Sequence, residues 1–217
     1  MPKWVKTVLA ILLLPLCIGA VKALFRVLGA TGQADTIWVA TIGGAACWLV
    51  VFLLLPKPMR LYVFGHELTH ALWTWLFGGR VKKFKVTSNG GQVVVTKSNF
   101  VIALAPYFFP LYAALVVLCF FVGHLVWGWT RYVVWFHLLL GAAYAFHVTL
   151  TWQILKTRQT DITSQGYFFS GVIIFLGNIT VLLLGLPLLT ARVSLTTALG
   201  WCLQETGAFL VRLRHLI

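Results

Sequence analysis

Residues 36–56, TIWVATIGGAACWLVVFLLLP, contain no charged side chain, and nothing in the chain constrains its fold more than runs of this kind. A helix needs about 20 predominantly apolar residues to cross a hydrocarbon core roughly 30 Å thick. Six apolar segments of about that length can be drawn, at about 7–29, 36–56, 60–78, 99–123, 130–155 and 166–190. Composition agrees: 60% of residues are hydrophobic, 10% are charged, and the mean hydropathy is +0.94, far from the balance of a soluble domain. The expected fold class is an all-α polytopic membrane protein with about six transmembrane helices, forming a single membrane domain over 1–217. Its expected place is the inner or cell membrane of a bacterium.

The connections carry the rest of the architecture. Between the third and fourth segments, GGRVKKFKVTSNGGQVVVTKSN is rich in Val, Phe and Thr at 81–87 and 92–97. The SNGG between these runs tolerates positive φ, which predicts a β-hairpin over 81–97. Pro106 and Pro110 then kink or delay the next helix. Residues 195–217 interleave apolar side chains with Gln204, Glu205, Arg212 and Arg214, the pattern of an interfacial amphipathic helix, with a weak seventh span as the alternative. The N-terminal MPKWVKTVLAILLLPLCIGA has a basic start and an apolar centre but no small-x-small cleavage site, which predicts an uncleaved first helix. Cys17, Cys47, Cys119 and Cys202 lack CxxC spacing and read as packing residues.

The net charge is +13, which in a soluble chain would suggest nucleic acid. Here Lys and Arg sit between and beside the apolar runs, where they meet lipid headgroups, so the expected partner is the bilayer and not a nucleic acid.

Only four residues are acidic, Asp35, Glu67, Asp161 and Glu205, and of these Glu67 alone falls within an apolar run. A carboxylate at that depth costs about 2.5–3.5 kcal/mol even on lenient insertion scales, which marks it as functional. His66 and His70 flank it. Four residues apart on a helix, they are separated by a rise of about 6 Å and nearly one turn, so both imidazoles face one side. The arrangement is H-E-x-x-H: two zinc ligands, with Glu67 beside the metal as general base.

At GHELTHALWTWLFGG the chain resembles the site-2 protease-like intramembrane zinc metallopeptidases, the M50 family. The hairpin that follows and ALAPYFFPL, a small-residue and proline entry into the next helix, extend the resemblance over roughly 60–180. It implies a Zn2+ cofactor, an endopeptidase acting in or near a transmembrane segment of a membrane-protein substrate, and a hairpin edge to which an unwound substrate strand adds. It also implies a third ligand, an aspartate in a later helix, usually within Leu-Asp-Gly. Asp161 lies 91 residues past His70, in QTDITSQG. His147, in GAAYAFHVTLTW, and His137 are the alternatives.

Alternation of the segments as drawn sets His66 and Asp161 toward opposite faces, unless 156–166 fold back or the proline-rich stretch changes the span count. Asn178, an amide in FLGNIT, is a candidate for binding a substrate carbonyl or for joining helices. A transporter or scaffold that retains the zinc site without proteolysis is the alternative function, and Glu67 discriminates between the two.

Overall fold

The computed structural model describes residues 1–87 and 90–215; Ser88 and Asn89, half of the expected SNGG turn, lie outside the described residues. The chain divides into two compact units, residues 1–34 with 160–217, and residues 35–159.

The first unit is built on α1 (Lys3–Thr31), with α7 (Thr160–Gln165), α8 (Tyr167–Thr190) and α9 (Leu195–Arg214). Its core joins Ala20, Ala23 and Val27 of α1 to Leu183, Ala198 and Cys202. Small side chains let helices approach where lipid supplies no hydrophobic drive to association. A Cβ placed on Gly19 would stand 2.0 Å from Oγ1 of Thr206, so α1 and α9 meet there without room for a side chain.

The polar residues that suggested an interfacial helix are partly turned to α1: Arg26 donates to Gln204 at 2.9 Å and to Glu205 at 3.1 Å, and lies 4.4 Å over the Trp201 ring. Lys22 also reaches Glu205, at 4.0 Å. The short α7 is tied at both ends. Lys6 Nζ donates to Gln165 Oε1 at 2.8 Å, and the buried Ser170 hydroxyl donates to the Ile162 carbonyl at 3.2 Å.

The second unit contains α2 (Asp35–Leu54), α3 (Met59–Leu76), β1 (Val81–Thr87), β2 (Gly90–Val95), α4 (Phe100–Leu104), α5 (Leu111–Trp127) and α6 (Val133–Leu155). Glycine sets the crossing of α2 and α6: a Cβ on Gly44 would fall 1.8 Å from the Leu138 carbonyl oxygen, and one on Gly141 would fall 1.9 Å from that of Thr41. Trp48 Nε1 donates to Thr149 Oγ1 at 2.8 Å across the same pair.

Helix α3 ends at Gly78, whose φ of +69° is open to glycine at little cost, and the Gly78 and Gly79 amides close on the Trp75 and Thr74 carbonyls. The hairpin follows at once. Its strands are antiparallel, with Thr87 opposite Gly90, Lys85 opposite Gln92 and a register shift between Val81 and Lys83.

Among the described residues, four helices are long and apolar enough to cross a membrane: α1, α2, Trp129–Leu155 and α8. The number rises to five if Phe100–Tyr107 and Leu111–Trp127, which meet at 81° across the prolines, make one broken span. Six drawn segments therefore correspond to helices, but the one at 60–78 is not apolar enough to count among these spans. Arg60, His66, Glu67 and His70 fall within the 18 residues of α3, so the side chains that suggest a site are those that lower its hydropathy.

Candidate metal centre

The buried side of α3 carries Tyr62, Val63, Gly65, Glu67, Thr69, His70, Ala71 and Thr74. A surface helix would turn such polar groups outward. Here Glu67 is only 8% exposed and His70 only 7%. The i, i+4 spacing brings the His66 and His70 ring centroids to 5.0 Å, with the planes at 77°.

The surroundings fix the rings. His70 Nδ1 lies 2.8 Å from the Ile102 carbonyl oxygen. A carbonyl can only accept, so Nδ1 carries the proton and donates, and in the neutral imidazole the lone pair is on Nε2, the nitrogen a metal would use. The Ile102 backbone is itself held, its amide donating to the Asn99 side chain at 2.8 Å as the cap of α4. Tyr107, 1% exposed, stands edge-on to His66 with centroids 5.2 Å apart. The proline-rich entry thus supplies a wall of the site as well as a bend.

Glu67 lies against the hairpin. A Cβ on Gly91 of β2 would lie 2.4 Å from Glu67 Cγ and 2.6 Å from Oε1. A side chain at position 91 would require the Glu67 side chain or the strand to shift. Phe64 and Phe84, with centroids 5.9 Å apart, pack the other strand on the same helix. On the far side, Tyr112 of α5 donates its hydroxyl to the Leu61 carbonyl, and its ring occupies the space that a side chain at position 65 would need.

His66, His70 and Asp161 form a group that can hold a metal ion: one ligand atom from each lies within 4.8 Å of the others. Two imidazole nitrogens and a carboxylate oxygen suit a borderline divalent cation such as zinc. Asp161 stands in the first turn of α7. His137 and His147, both buried in α6, fall outside this group. Asn178 Nδ2 donates to the Ile174 carbonyl of its own helix at 2.9 Å.

Two features of the site escaped the sequence reading. The close approach of Gly91 to Glu67 had a signal, the second glycine of SNGG, but a turn explained it equally well. The Asn99–Ile102–His70 relay had none beyond an asparagine ahead of an apolar run. Compared with protein families, curated proteins and solved structures, the chain matches none.

Proposed function

We propose that this chain is a membrane-embedded zinc endopeptidase of the site-2 protease-like kind, cutting a peptide bond in or near a transmembrane segment of a membrane protein. The observation that carries the reading is the grouping of His66, His70 and Asp161 beside a buried Glu67 one residue from the first ligand. Six spans, with α3 as the sixth, is the count that goes with it. His66 and His70 bind through imidazole nitrogen, and Asp161 contributes the carboxylate that completes the set.

When bound there, zinc supplies Lewis-acid polarisation of a carbonyl and acidifies a water. Glu67 does the proton transfer. Its carboxylate takes a proton from water as the water oxygen adds to the carbonyl carbon, then delivers it to the departing nitrogen as the C–N bond breaks. The hairpin contributes in two ways: β2 passes close beside the carboxylate at Gly91, and a strand edge is available for an extended substrate.

The test is Glu67→Gln in the full chain reconstituted in liposomes. Zinc content should be unchanged, while cleavage of a single-span membrane substrate should fall by about 100-fold to 10,000-fold, the range general-base catalysis supplies. Equal cleavage by wild type and variant would instead favour the non-proteolytic membrane protein that keeps a zinc site.

A further inference from the structure

Among the described residues of the second unit, His147 is a buried imidazole outside the candidate metal-binding group that lines a cleft with one member of that group, His66. The cleft is lined by Tyr62, Gly65, His66, Thr69, Tyr112 and His147, among others. His147 is 6% exposed, and its Nε2 is buried with no hydrogen-bond partner among the described residues. The other hydroxyls lining this cleft are engaged: Tyr62 with Thr151 at 3.4 Å, Thr69 with the Gly65 carbonyl at 2.7 Å, and Tyr112 with the Leu61 carbonyl.

A buried nitrogen in this state carries its desolvation penalty until a partner arrives. Helix packing does not call for it, because Phe146 and Leu150 beside it already fill the core with Tyr62 and Val63. The cleft's free volume, about 20 Å³, takes a group of about a water's size, and a backbone carbonyl oxygen of a substrate peptide lying over it is such a group and brings the missing partner.

We infer that His147 is a substrate-contacting residue whose Nε2–H donates to a backbone carbonyl of the peptide at the reacting bond. This rests on the peptidase reading above. The neutral imidazole forms no bond with the metal and changes no protonation state. It holds the carbonyl and strengthens its hydrogen bond as negative charge grows on that oxygen, the behaviour expected of an oxyanion donor.

The experiment uses the zinc-loaded full chain in phosphatidylcholine liposomes with single-span transmembrane peptides bearing a fluorophore and a quencher. His147→Met and His147→Phe remove the nitrogen with two different shapes, so that at least one packs, and His147→Gln keeps an N–H donor. All three should retain the zinc content of the wild type. The Met and Phe variants should lose about 100-fold in kcat with KM within about 3-fold, and the Gln variant should recover to within about 10-fold of wild type.

Loss of zinc would overturn the inference by making His147 a ligand. Unchanged kcat, or a Gln variant no better than Met and Phe, would overturn it by leaving only a packing role. Wild type that binds zinc and cleaves none of the peptides overturns the peptidase reading and the inference with it. Wild type that cleaves beside indistinguishable variants overturns the inference alone.

Discussion

Helices α2 and α3 are neighbours in sequence and lie in the same compact unit, yet they place their polarity in opposite ways. α2 sends Val39, Ile42 and Leu53 outward, 73%, 62% and 76% exposed, and docks on α6 through the bare backbone at Gly44. α3 turns Glu67, Thr69, His70 and Thr74 inward and meets its neighbours through the His70–Ile102 hydrogen bond and ring contacts such as His66 with Tyr107. In an apolar solvent, side-chain burial gives helices little reason to associate, so close backbones and polar contacts do so instead. α2 relies on the close backbone at Gly44 with one polar contact, Trp48 to Thr149, and α3 relies more on polar and ring contacts. Polar groups that would be a liability on the outward face of α2 are turned inward on α3, where the Ile102 carbonyl meets His70 and the helix's own Gly65 carbonyl meets Thr69.

Making α3 more like α2 should have the largest effect. His70→Ala deletes a nitrogen of the proposed metal site and leaves the Ile102 carbonyl without its donor, and metal affinity should fall by more than the ~10–100-fold typical of losing even an outer partner, read by metal titration of the purified protein. Retained affinity would mean that His70 is only a structural histidine. Making α2 more like α3 comes next. Ile42→Lys puts a charge on the outward face of a candidate span and should cost about 2.5–3.5 kcal/mol in an insertion assay, whereas a small cost would show that this face meets water or protein. The smallest effect tests the support behind α3. Asn99→Ala removes the cap of α4 and should destabilise the protein by about 1 kcal/mol in detergent unfolding. Through Ile102 it should also weaken metal binding by less than His70→Ala does, and an equal loss would place Asn99 nearer the metal than its capping contact implies.

These differences map onto what could be read from residue order. The apolar runs were legible because spanning length is a property of contiguous sequence, and the helices fall close to the drawn segments. The hairpin was legible from two Val- and Thr-rich runs about glycine, with strands at 81–87 and 90–95 against an expected 81–87 and 92–97. The pairing of His66 with His70 was legible because one turn of helix sets it. The standing of α3 was not: the same polar residues that announce a site remove the helix from the set apolar enough to span, and whether they face lipid or protein depends on neighbours far along the chain.

What the amino-acid order determined by itself is therefore local: where helices run, where a hairpin turns back, and that two imidazoles share one helix face next to a carboxylate. Tertiary structure alone decided which distant residues join them. Asp161, His137 and His147 were alternatives for the partner that the resemblance implies; only the folded chain groups Asp161 with His66 and His70 as a candidate metal site, and lines one cleft with both His66 and His147. Gly91 against Glu67 and the Ile102 carbonyl on His70 are of the same kind. The physical reason is range: helical periodicity relates residues within a turn or two, whereas a grouping of residues 91 apart depends on how every intervening element packs.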